Sequence, residues 1–204
     1  MPKVSYSEKD RERIRKALLE TCLKLISKQG VQHTTIEQIY KKVGISRTFF
    51  YSFFSTKEEL VVESLYYQQP KIISYIKQLR KDTSLEWKQA LRLFLKSCCY
   101  GKDSFVILSI EEQQSIFKRL TSEKYVLFRE KQERLFSDIL ACFDIEPKKE
   151  NVCLFINLSL MLIVFRKAIP SSLPLFIPEV ADQTVDFQIE AIISYLEGCK
   201  HQNP

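Results

Sequence analysis

Four glycines in 204 residues are the tightest constraint this sequence places on its own fold. Glycine supplies positive-φ turns, phosphate-cradling loops and close backbone approaches. Its scarcity argues against a nucleotide-binding α/β enzyme and for long helices joined by few tight turns. Two histidines restrict acid–base and metal chemistry in the same way. The rest of the composition, 45% hydrophobic and 27% charged, excludes a disordered tail or a fibrous repeat. A chain of this length buries about 70% of its unfolded surface and needs no staples.

Hydrophobic periodicity says where the helices lie. From Ser7 to Gln29 the apolar positions Ile14, Ala17, Leu18, Cys22, Leu25 and Ile26 recur at three- and four-residue steps, one amphipathic helix ending at Gly30. In HTTIEQIYKKVG, Thr34 with Glu37 or Thr35 with Gln38 forms a capping box, and Gly44 supplies the left-handed stop of a short second helix. Ser46 caps a third, RTFFYSFF, and Ser55 or Thr56 with Glu58 or Glu59 opens a long fourth that Pro70 is expected to kink or divide. Further helices are predicted over 72–80, 85–100, 111–118, 123–143, 149–167 and 181–200, with a proline-punctuated connector over 171–178. No stretch reads as a strand. The longest apolar run, Val152 to Phe165, contains Asn157 and Ser159 and is too short for a bilayer span. The reading is an all-α chain in two parts, residues 1–55 and 56–204, with the seam at the fourth helix.

Charge and cysteines narrow the function. Residues 1–60 hold 12 basic and 7 acidic side chains, so most of the net charge of +6 sits at the front and any basic partner surface is N-terminal. The six cysteines (Cys22, Cys98, Cys99, Cys142, Cys153 and Cys199) show neither a CxxC pair nor zinc-site spacing, and read as small buried hydrophobes, with a thiol redox sensor as the alternative. The opening MPKVSYSEKDRERIRKALL lacks a signal peptide's apolar core, which predicts a cytoplasmic protein with reduced thiols. No metal or cofactor is expected.

Two short helices joined by about three residues, the turn holding Gly44 and the second helix capped by Ser46, are the pattern of a helix-turn-helix. Ile39, Val43, Ile45 and Phe50 bury its inner faces, while Arg47, Thr48 and Phe49 face a major groove. The stretch TTIEQIYKKVGISRTFFYSFFSTKEEL resembles the DNA-binding motif of the TetR family of transcriptional regulators, with Thr35, Ile39, Gly44, Ile45, Ser46, Tyr51, Phe54 and Lys57-Glu58-Glu59-Leu60 at the family's spacing. The resemblance covers roughly residues 10–65. It implies about nine helices: three on DNA, a fourth as connector, and a divergent C-terminal domain that dimerises and takes a small effector.

Carried over residue by residue, the resemblance makes Thr35, Tyr51 and Lys57 phosphate contacts. Thr35 suits the role because a helix N-terminus favours an anion. Arg47 can donate to a guanine or neutralise the backbone. Ser46 and Thr48 complete the DNA-facing set. Thr48 replaces a frequent glycine or proline and Phe49 a usual small residue. The Phe49 ring either touches thymine methyls or tucks into the motif's core, and the first reading is favoured because Phe50, Phe53 and Phe54 already supply rings for the inner face. Tyr40 stands where alanine is common.

In the C-terminal half, the nearly all-round apolar helix 152–165 and the stripe on the last helix are expected to meet a second subunit through Val152, Phe155, Ser159, Ile163, Val185, Ile189, Ile192 and Leu196. A single thick monomeric core is the alternative. Tyr66, Phe94, Cys98, Phe105, Phe117 and Phe128 are the candidates for lining an effector cavity, and their character suggests a hydrophobic or aromatic ligand. Three functions are open to such a chain. The first is a dimeric repressor released from a palindromic site on double-stranded DNA by a small molecule. The second is a protein-interaction module of the same fold that has lost operator reading. The third, an enzyme, lacks both a phosphate loop and a metal constellation.

Overall fold

The computed structural model of the chain describes residues 6–101, 105–169 and 177–201. Among these every regular element is a helix: α1 (Glu8–Gln29), α2 (Ile36–Val43), α3 (Arg47–Phe50), α4 (Lys57–Lys81), α5 (Trp87–Tyr100), α6 (Ile110–Phe117), α7 (Ser122–Cys142), α8 (Lys149–Ala168) and, after a 3₁₀ turn at Pro178–Val180, α9 (Ala181–His201). The connector expected over 171–178 lies, up to residue 176, outside the described residues.

Hydroxyl caps start most of these helices. Ser7, Thr35, Ser46, Thr56, Ser109 and Thr121 each accept the backbone N–H three residues on, satisfying a donor that the first turn leaves without a partner. Of the two capping boxes open to α2, the backbone selects Thr35 with Gln38, because Thr34 is fully buried and donates to the Gly30 carbonyl at 2.7 Å.

Two expectations need correction. Pro70 does not divide the fourth helix: α4 runs unbroken through it for 25 residues. The ring sits on the exposed face, and the buried Leu65, Gln68, Ile72 and Ile76 on either side hold the helix together across one missing hydrogen bond. The third helix is shorter than RTFFYSFF. It ends at Phe50, and Ser52, Phe53 and Phe54 follow as tight turns that donate to the Phe49 and Phe50 carbonyls, which lets Phe50 and Phe54 both point inward.

The buried side chains form two clusters. One joins α1, α2 and α3 to the first half of α4, and is closed by Leu108 and by Ile116 of α6. The other joins the second half of α4 to α5, α7, α8 and α9. Helix α4 therefore serves both. Along the outside, α5 and α9 run antiparallel and are linked once per turn: Lys88 to Glu197, Arg92 to Glu190 by two bonds, Lys96 to Asp186 at 2.9 Å, and the Tyr100 hydroxyl to Asp182 at 3.0 Å.

The residues expected at a subunit interface are core instead. Val152, Phe155, Ser159, Ile163, Val185, Ile189, Ile192 and Leu196 are all buried within one chain, none more than 5% exposed. An apolar stripe covers itself with the nearest apolar surface, and here α5, α7 and the α8–α9 pairing supply it. The cysteines divide likewise. Only Cys22 is fully buried, and burial pushes its thiol up to about 11; the other five are half-buried, and none of the six is in a disulfide.

Candidate nucleic-acid interface and ligand cavity

The turn between α2 and α3 is built on Gly44, whose φ of 78° and ψ of 31° are left-handed. A Cβ there would meet nothing within 4 Å, so backbone conformation rather than space demands glycine. The Gly44 and Ile45 N–H groups fold back onto the Lys41 and Tyr40 carbonyls and close α2. Ile39 and Phe50 are fully buried, with Tyr40, Val43 and Ile45 half-buried beside them. What remains outside is one face. Thr35, Ser46, Arg47, Thr48 and Tyr51 are all exposed, and the Arg47 guanidinium lies 6.0 Å from the Tyr51 ring centre.

Two members of the expected DNA-contacting set are engaged within the chain. Phe49 is half-buried: its ring stacks on Tyr6 at 4.3 Å, meets Phe53 edge-on at 5.1 Å, and has the Arg11 guanidinium 5.6 Å away. It neither stands free in front of the helix nor joins the deep core. Lys57 turns inward, its Nζ donating to the Val31 carbonyl at 2.5 Å, and burial lowers its pKa. A lysine so placed braces the α1–α2 loop rather than reaching outward.

Val31 is held from both sides. Its N–H donates to Glu112 Oε1 at 2.6 Å, while Glu112 Oε2 accepts from Ser109 N at the start of α6. Gly30, at φ 76°, is favoured by its backbone conformation, and a Cβ there would crowd Glu112 Oε1 at 3.0 Å. Arg119 with Glu58 at 2.8 Å and Lys124 with Glu59 at 3.2 Å add further ties to α4. Glu112 thus fastens the helix-turn-helix to α6. Sequence reasoning missed it, and its only sequence mark is the Ser109…Glu112 capping box.

A cavity of about 140 Å³ lies between α4, α5, α7, α8 and the segment 105–108. Phe94, Cys98, Phe105 and Phe128 line it. Tyr66 and Phe117 do not: both pack behind Phe128, at ring separations of 6.1 and 5.0 Å, and Tyr66 carries the Lys131 ammonium 3.8 Å above its ring. Ser159, expected at a subunit interface, is on the cavity wall, as are Gln68, Gln69, Gln113 and Gln132, which sequence reasoning passed over. The available signal was polar residues interrupting otherwise apolar helix faces. Gln68 holds the wall in place, donating to the Val106 carbonyl at 2.8 Å and accepting its N–H at 2.9 Å.

Residues 18–63 match the family model described as bacterial regulatory proteins, tetR family. An uncharacterised HTH-type transcriptional regulator, YuxN of Bacillus subtilis (strain 168), is 27% identical over 100 residues, covering 48% of this chain and about a third (34%) of that protein's length. Among solved structures, a TetR-family transcriptional regulator from Pectobacterium atrosepticum superposes with a TM-score of 0.60 at 13% identity, covering 95% of this chain and 97% of that one. RolR, solved with its ligand resorcinol, superposes with a TM-score of 0.58 at 16% identity, covering 97% of each. At these identities the structural likeness speaks to the fold. The segment matched by the tetR-family model coincides with the helix-turn-helix built on Gly44, and the helical scaffold behind it has the fold of solved TetR-family regulators, so residues 18–63 are a tetR-type helix-turn-helix segment of bacterial regulatory proteins.

Proposed function

We propose that this protein is a homodimeric transcriptional repressor that binds a palindromic operator and is released from it by a small hydrophobic effector. The observation that carries the reading is the exposed face of α3 and its C-cap, where Arg47, Thr48 and Tyr51 stand together on a helix-turn-helix whose inner side is packed around the buried Ile39 and Phe50. Arg47 reads a guanine edge or neutralises phosphate, Tyr51 reaches the backbone, and Thr35 and Ser46 set two helix N-termini toward the phosphates. Reading two half-sites needs two chains. The surface suited to this is the outer side of α8 and α9, where Leu154, Met161 and Phe187 are 42%, 69% and 75% exposed.

Release requires the cavity to reach α3. The segment 105–109 and α6 provide a continuous route: Gln68 grips Val106, Gln113 donates to the Leu108 carbonyl, and Glu112 takes the Val31 N–H. A ligand that displaces this segment loosens the brace behind the helix-turn-helix. The resorcinol in RolR is a precedent for a single-ring ligand on this scaffold. Such a regulator works where the DNA is, in the cytoplasm, and no described helix is long and apolar enough to cross a membrane.

Selection of bound duplexes from a random pool by the full chain tests the reading. Enrichment of a two-fold symmetric site with half-site centres about 34–36 Å apart supports it. Arg47→Ala should then weaken specific binding by about 1–3 kcal/mol. If no duplex is enriched, the interaction-module reading stands instead, with the bulky Tyr40 and the engaged Phe49 ring as its physical grounds.

A further inference from the structure

The cavity is small and uncharged. Its volume of about 140 Å³ is close to the roughly 150 Å³ of an apolar cavity that admits benzene, so it suits one ring with a short substituent. Its wall is mainly aliphatic and aromatic, and none of the described residues lining it carries a charge. An ionised ligand would lose its hydration there and find no counter-ion.

The polar groups on the wall are not equivalent. Gln68 exchanges two hydrogen bonds with the Val106 backbone, and Gln113 donates one to the Leu108 carbonyl. Gln69 Nε2 on α4 and Ser159 Oγ on α8 are buried and have no hydrogen-bond partner, and Ser159 is only 3% exposed. Buried donors are nearly always satisfied in native proteins. Here two such donors, from two helices, line the same cavity.

We propose that the cavity takes an uncharged, single-ring aromatic carbonyl compound, its ring against Phe94, Phe128 and Leu135 and its oxygen accepting hydrogen bonds from Gln69 Nε2 and Ser159 Oγ. This rests on the effector reading above and adds the chemical class of the effector. The carbonyl oxygen matches both groups because it is a pure acceptor with two lone pairs.

Titration calorimetry of the full chain with three probes tests it: acetophenone, α-methylstyrene (the same skeleton with CH₂ in place of oxygen) and benzoate. Acetophenone should bind at least about tenfold more tightly than α-methylstyrene, and benzoate should not bind. Ser159→Ala and Gln69→Leu should each shrink that preference to about threefold or less while leaving the α-methylstyrene affinity unchanged, with circular dichroism confirming the fold. Equal affinity for ketone and hydrocarbon, preferred binding of benzoate, or a preference that survives both substitutions would overturn the ligand class. Failure of all three probes to bind overturns it too, together with the cavity as a site for ring-sized molecules. Measured alongside on the selected operator, acetophenone binding that leaves DNA affinity unchanged removes the effector reading and leaves the ligand class standing.

Discussion

Phe49 and Phe50 are adjacent, chemically identical and differently placed, so truncating each to alanine separates surface chemistry from core packing. Phe50 is fully buried, and its loss should cost about 3–5 kcal/mol, enough to melt the helix-turn-helix. Phe49 loses one stacked and one edge-on ring contact at a half-exposed position, which should cost about 1–2 kcal/mol. Differential scanning calorimetry checks the contrast. Equal melting shifts would mean that the Phe49 ring is as much a part of the core as Phe50. Lys57 makes a related point: a residue at a DNA-contacting position of the family is here bonded to the Val31 carbonyl, so sequence position alone does not make it a phosphate ligand.

At the scale of the element, α4 is the helix most at odds with local propensity. It spans both hydrophobic clusters, yet carries proline at position 70, one residue after Gln69 with its unpartnered amide nitrogen. Proline in a helix interior costs about 3 kcal/mol relative to alanine, and the ring here faces solvent. Pro70→Ala should therefore restore a helical N–H donor and raise stability by about 1–3 kcal/mol in urea unfolding. A loss of stability would show that the helix depends on a distortion at this point. The exposed ion pairs between α5 and α9 contribute less, since surface pairs are each worth about 1 kcal/mol at most. Their regular spacing aligns the two helices along their length.

For the whole molecule, the proposed dimer needs one face of the α8–α9 layer to meet another copy. The inner residues are core, so Val185→Glu should unfold the chain by burying an unpaired charge. The outer face offers Leu154 and Met161 on α8, and on α9 the exposed run of Phe187, Ala191, Ser194 and Gly198 at three- and four-residue steps, the last three small enough for helices to approach closely. The double variant Met161→Glu, Phe187→Glu should sediment as a monomer at micromolar concentration while keeping its helical circular dichroism. A dimer that survives both charges would place the interface elsewhere. A well-folded monomer should also lose operator affinity, because one recognition helix reads only one half-site.

The amino-acid sequence by itself determined the all-α class, the order of the helices and the helix-turn-helix. Each rests on local rules: apolar spacing of 3.6 residues, hydroxyl caps such as Thr35, Ser46 and Thr56, and the left-handed Gly44. It also picked out four residues of the cavity wall, Phe94, Cys98, Phe105 and Phe128, though not the glutamines among them. Direction was what it did not contain. An apolar stripe on α9 reads the same whether it faces its own chain or a partner, and Val185 to Leu196 proved to be core. A lysine opening α4 reads the same whether it points at phosphate or at Val31. A proline looks like a break until the packing on both sides of it is known. The Glu112 brace joins residues 81 positions apart, and no local rule connects them. Tertiary structure decided these because burial and hydrogen bonding depend on which surfaces meet, and that follows from the packing of all nine described helices together.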